Sequence, residues 1–140
     1  MGTQTLPAAT STICEIAGEG SLLAVRASLR AAAAELGFGI VRQTKLITAA
    51  SELARNALQY AGGGAMVIER VEGGGRVGLR ARFQDNGPGI TDVDLALQDG
   101  YSSRNSMGIG LPGARRLVDD FRIESQPGEG TVVEITAWAR

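Results

Sequence analysis

The sequence predicts an α+β fold: a two-layer sandwich in which a mixed or antiparallel sheet carries helices on one face. Three observations point there. Two helical patterns follow one another early, over residues 21–36 and 41–61. Two pairs of β-rich runs, 65–72 with 76–83 and 122–125 with 131–138, are each joined by a glycine-rich turn. The order β-α-α-β-β-loop-α-β-β shows no repeat and no linker. One domain is therefore expected over residues 1–140, with 1–10 a flexible N-terminal stretch.

Each element has its own reason. Residues 11–16, Ser-Thr-Ile-Cys-Glu-Ile, read as a first strand. Over 21–36, the residues Leu22, Leu23, Val25, Leu29, Ala32, Ala33 and Leu36 form an apolar helical stripe that Gly37 ends. Over 41–61, Leu46, Ala50, Leu53, Ala54, Ala57 and Ala61 share one arc, and Gly62, Gly63 and Gly64 stop the helix. Gly73, Gly74 and Gly75 turn the first hairpin, and Pro127, Gly128, Glu129 and Gly130 turn the last. Between them, 85–110 is loop-rich around a short helical piece at 92–98, and 111–120 is a further helix. A structureless stretch of about 25 residues inside a compact domain is more often functional than idle.

Composition narrows the function classes. Lys+Arg of 14 against Asp+Glu of 15 leaves a net charge of −1, so there is no basic field for nucleic acid or an anionic membrane. The absence of histidine removes His-based triads, most zinc sites and phosphohistidine on this chain. One cysteine, Cys14, makes no internal disulfide, and a free buried thiol fits a reducing cytoplasm. The first residues lack the charged and apolar regions of a signal peptide, Leu6 breaks a myristoylation pattern, and no apolar run reaches the ~20 residues of a membrane span. A cytoplasmic protein is expected.

Three polar clusters remain. On the second helix, Lys45, Ala49, Glu52 and Asn56 line up beside the apolar arc, stacking Glu52 and Asn56 one turn apart. Taken alone, that pair reads first as an ordinary solvated face, and it also suits a general base beside a hard-cation ligand. Asp85-Asn86-Gly87-Pro88-Gly89 ends a strand. Asn-Gly is a hairpin signature, yet the residues after it do not supply a second arm. The other reading makes Asp85 a buried acceptor for the exocyclic amine of adenine, with Gly87 and Gly89 allowing close backbone approach. The third cluster, Ser106 to Gly113, runs Gly108 and Gly110 into a helix with Pro112 at its start. Such an entry is either a plain loop-to-helix join or a phosphate cradle. Before it, residues 100–105 offer one cation, Arg104, for charge-assisted bonds to phosphate. In this order the clusters supply a metal site, a base selector and a phosphate cradle for ATP.

These residues carry a resemblance. Glu52-Leu53-Ala54-Arg55-Asn56 is similar to the N box of the GHKL ATPase/kinase superfamily. Asp85 to Gly89 resembles its first glycine box, and Gly108-Ile109-Gly110-Leu111 its second. Thr131, after Gly128-Glu129-Gly130, resembles the superfamily's late threonine near the adenine. The likeness runs from about Thr12 to Trp138, and it points to the small bacterial serine kinases that regulate sigma factors, above all the switch kinases of stressosome-type modules. It implies a Bergerat-type fold and the cofactors ATP and Mg²⁺. It implies that Asn56 holds the metal, that Glu52 is the catalytic base, and that Asp85 takes the adenine amine with Gly89 and Thr131 nearby. Gly108 and Gly110 then approach the phosphates. Arg104 is placed in the catalytic set on chemistry alone, because the lid pattern does not map onto the family. Implied partners are STAS-domain proteins of scaffold and antagonist type and a PPM-type phosphatase that the released kinase activates. No nucleic acid or membrane is implied, and a homodimer is allowed. The alternative function is an anti-sigma factor that sequesters a sigma factor; a third is a nucleotide-binding adaptor with little catalysis.

Overall fold

The computed structural model describes residues 11–90, 92–98 and 110–140. Five strands, β1 (Ser11–Ile16), β2 (Gly64–Gly73), β3 (Arg76–Asp85), β4 (Asp120–Ser125) and β5 (Thr131–Trp138), form one sheet in the order β1-β2-β3-β5-β4. Every pairing is antiparallel, which settles the mixed-or-antiparallel expectation. Among the described residues four helices accompany it: α1 (Glu19–Glu35), α2 (Ile40–Ala61), α3 (Val93–Ala96) and α4 (Gly110–Arg116).

Strand alternation decides where the helices sit. Cys14 and Ile16, Met66 and Ile68, Leu79, Ala81 and Phe83, and Val133, Ile135 and Ala137 are buried at alternate positions. They meet Leu22, Val25 and Leu29 of α1 and Leu46, Ala50, Leu53, Ala54 and Ala57 of α2 in one core. Several of the intervening residues carry charge instead. Arg80 pairs with Glu69 at 3.5 Å, and Arg122 with Glu134 at 3.4 Å, across neighbouring strands. A face laced with such pairs stays in water, so the layers number two.

The termini of these elements follow local chemistry. Ser21 Oγ accepts the Ala17 and Gly18 N–H groups at 2.9 and 3.3 Å, drawing the start of α1 back to Glu19. Gly74 and Gly75 take φ of +59° and +78°, the doubly left-handed turn whose twist suits a two-residue hairpin. Gly73 and Arg76 therefore pair, and both strands reach the turn.

One helix is shorter than the sequence suggests. The helical pattern over 111–120 stops at Arg116, with β4 beginning at Asp120. Asp119 is captured by the sheet: its N–H donates to the Thr136 carbonyl at 3.0 Å, and its Oδ2 accepts the Trp138 N–H at 2.8 Å. Those bonds compete with helix continuation and win, because they satisfy groups at the end of β5. Cys14 is buried on β1, as expected, and its apolar surroundings raise its thiol above the usual 9.0. Among the described residues, no helix is long and apolar enough to cross a membrane.

Candidate functional site

Helix α2 brings the first pair. The line Lys45, Ala49, Glu52, Asn56 starts in solvent and sinks into the layer interface toward its C-terminal half. Lys45 is exposed, Ala49 is buried, and Glu52 is only 7% exposed, while Asn56 is half-buried. Glu52 is therefore not part of an ordinary solvated face. A buried carboxylate needs a partner, and Arg55 Nη1 supplies one as an i, i+3 ion pair from a side chain about one-third exposed. One residue earlier, Ser51 is also buried; its hydroxyl donates to the Ile47 carbonyl at 2.8 Å and accepts Arg26 Nε from α1 at 3.0 Å. Arg26 thus ties α1 to α2 at Ser51, while Arg55 is the ion-pair partner of Glu52.

The second group forms at one end of the sheet. Asp85 closes β3, stands opposite Thr131 at the start of β5, and Thr131 stands opposite Ser125 at the end of β4. In phase with Phe83, Val133 and Ile123 along their strands, these three residues share the helix-facing side. Asp85 is half-buried rather than fully buried, a correction to the expectation, because it lies where the sheet runs out. Its Oδ1 accepts the Gly87 N–H at 2.9 Å, one of several bonds that a carboxylate can take.

The glycines hold this corner close. Among the described residues no second hairpin arm follows Asn86-Gly87. Instead the Pro88 carbonyl accepts the Gly128 N–H at 2.7 Å, and the Ile90 N–H reaches Ser125 Oγ at 2.8 Å, so the segment runs across to the β4–β5 turn. A Cβ on Gly87 would meet Ala61 at the end of α2, and one on Gly89, where φ is +78°, would run into the Gln126 carbonyl. Only glycine fits both places. Through Gly87 the corner bearing Asp85 rests on the helix bearing Glu52 and Asn56.

Of the second glycine cluster, Gly110 and Leu111 begin α4, which packs against α2, and Leu111 lies against the core. Pro112 is the third helical residue, still within the first turn, where a missing N–H costs nothing. Arg104 and Gly108 lie outside the described residues. The structure thus brings Asp85, Gly87, Gly89 and Thr131 together and places Glu52 and Asn56 on the adjoining helix. Sequence reading missed Ser125, although counting back across the last hairpin puts it opposite Thr131. It also passed over Arg55 as a partner for Glu52, which i, i+3 spacing would have found.

Chemically, the arrangement offers a carboxylate edge bordered by close-approach backbone, and a second carboxylate beside an amide oxygen on a neighbouring helix. Among the described residues no group of three or more His, Cys, Asp or Glu side chains could hold a metal ion. A donor set of this kind fits magnesium, which takes one or two protein oxygens and completes its shell with phosphate and water.

Residues 41–140 match the family described as histidine kinase-, DNA gyrase B-, and HSP90-like ATPase. The chain is 45% identical over 122 residues to the serine/threonine-protein kinase RsbT of Bacillus subtilis (strain 168), covering 87% of this chain and 92% of that protein. It is 34% identical over 117 residues to an anti-sigma F factor of Pasteuria penetrans, with 79% and 77% covered. Against an anti-sigma F factor of Thermoanaerobacter sp. (strain X514), identity is 28% over 119 residues, with 81% and 82% covered.

Proposed function

The chain belongs to the family of histidine kinase-, DNA gyrase B- and HSP90-like ATPases, and from that membership we propose a magnesium- and ATP-dependent protein kinase acting on serine or threonine within a partner-switching pathway. Its substrates on this reading are STAS-domain regulatory proteins of a stressosome-type, stress-responsive module that governs a sigma factor in the cytoplasm. Once released from them, the kinase activates a PPM-type phosphatase. The whole chain acts as one ATP-binding domain. Its likeness to RsbT, named as a serine/threonine-protein kinase, supports this choice over the other activities of the family.

Within the site, Asp85 accepts the adenine amine beside Gly89 and Thr131, and Gly108 and Gly110 bring backbone N–H groups toward the phosphates. Asn56 would hold the magnesium ion, which neutralises charge on the phosphates when bound. Glu52 accepts the proton of a substrate hydroxyl as that oxygen forms its bond to the γ-phosphorus and the bond from that phosphorus to the β,γ-bridging oxygen breaks, releasing ADP. Arg104 adds positive charge beside the transferred group. The observation that carries the kinase reading is the burial of Glu52 one turn from Asn56. A nucleotide-binding adaptor has no use for a desolvated carboxylate there.

The likeness to anti-sigma F factors favours a second reading, in which the output is sequestration of a sigma factor. Affinity capture from the native cytoplasm with magnesium and ATP separates the two. A STAS-domain protein carrying new phosphoserine or phosphothreonine supports the kinase reading. A sigma factor without a STAS-domain protein supports the second, and a homodimer alone supports neither.

A further inference from the structure

Ser125 belongs to none of the three polar clusters, yet it is wired into the end of the sheet. Its Oγ accepts the Ile90 N–H at 2.8 Å and lies 2.9 Å from the Gly130 carbonyl oxygen and 2.8 Å from Thr131 Oγ1. Proton counting fixes the direction of each bond. A carbonyl has no proton to give, so the single Ser125 hydroxyl proton goes to Gly130. The Ile90 N–H occupies one of the two Oγ lone pairs. The remaining lone pair faces Thr131, whose hydroxyl must therefore be the donor. Ser125 is then saturated, and the Thr131 proton is committed away from the rest of the site.

Toward a ligand, Thr131 is left with lone pairs only. Its neighbour across the β3–β5 pairing is Asp85, whose carboxylate oxygens also accept. Two acceptors stand side by side on the helix-facing side at the end of the sheet. We infer that Ser125 is a specificity-determining positioning residue: by taking the Thr131 proton it makes the Asp85–Thr131 row an acceptor-only edge, which receives the exocyclic amine of an aminopurine and repels a ring carbonyl. A Thr131 hydroxyl free to rotate would donate to that carbonyl and weaken the discrimination. The inference rests on the reading of Asp85 and Thr131 as the nucleobase edge.

The test compares ADP with IDP, whose bases carry an amine and a carbonyl at the same position, by titration calorimetry with magnesium. Ser125→Ala is expected to lower the ADP-to-IDP affinity ratio about three- to tenfold, the worth of one neutral hydrogen bond. Ser125→Thr restores the hydroxyl and the wild-type ratio. Adding Thr131→Val to Ser125→Ala lowers the ratio no further, because both changes act through one hydroxyl. Where the alanine variant does not fold, Ser125→Cys keeps the bulk with a much weaker hydrogen-bonding group and gives the same comparison. Equal weakening of both nucleotides, with the ratio unchanged, would reduce Ser125 to a brace for the β4–β5 turn and overturn the inference. Asp85→Asn separates the two levels. A ratio that collapses in Asp85→Asn but holds in Ser125→Ala defeats only the role of Ser125; a ratio that holds in both defeats the nucleobase edge itself.

Discussion

Gly87 lies against Ala61 so closely that a Cβ added to it would stand 2.5 Å from the alanine Cβ and 2.9 Å from its Cα. Ala61 is the last residue of α2, the helix that carries Glu52 and Asn56, and Gly87 donates to the carboxylate of Asp85. The contact therefore ties the two halves of the site. Gly87→Ala must push the corner off the helix, at about 1–3 kcal/mol of stability for overpacking. It is expected to lower both the melting temperature and ATP affinity. Wild-type values of both would contradict the coupling.

Glu52→Gln keeps the shape of the side chain and removes its basicity. ATP binding should persist while phosphotransfer to the protein substrate falls by about 10²–10⁴-fold, the usual worth of a positioned base. A variant that transfers phosphate at the wild-type rate removes Glu52 from the reaction.

Arg55 is the counter-ion of that buried carboxylate, so its loss should be felt in stability first. Arg55→Ala is expected to cost about 1.5–3 kcal/mol, the range for a hydrogen bond to a charged group. In the Glu52→Gln background the same change should cost less, because no charge is then stranded. Equal losses in both backgrounds in denaturant titrations would mean that the pair is not coupled.

Asn56→Ala removes the amide oxygen assigned to magnesium. Titration calorimetry should then show no measurable binding of magnesium-ATP under conditions where the wild type saturates. Unchanged affinity would sink the placement of the metal.

How much of this was legible beforehand depends on range. The apolar arc of α2 and the glycines that stop it are local, and the period gave that helix within one residue at its start. The final helix failed because Asp119 is claimed by Trp138 and Thr136, partners that no local pattern in 111–120 contains. At the site, the spacing of Glu52 and Asn56 showed adjacency but not depth. Burial of Glu52 depends on how α2 settles against the sheet, and its pairing with Arg55 completes that burial. Asp85 was recognisable from its glycine neighbours, whereas Ser125 acquires meaning only once three strands are set in register.

Cys14 supplies a check on the fold that is independent of nucleotide. Burial raises its thiol above the usual 9.0, so the folded state holds the proton more tightly than the unfolded chain. That contribution to stability is whole below pH 9.0 and is lost as the pH rises through the raised folded value. A thiol-specific alkylating reagent at neutral pH should label Cys14 slowly in the native protein and quickly in denaturant. Equal rates would place Cys14 outside the core.

The kinase reading stands most directly on one reaction. Purified protein, magnesium and ATP labelled in the γ-phosphate are incubated with a STAS-domain protein from the same cell, beside the Glu52→Gln variant. The expected result is label on a serine or threonine of the STAS-domain protein, near one phosphate per chain, with almost none from the variant. Nucleotide that binds tightly while no label reaches any STAS-domain protein would contradict it.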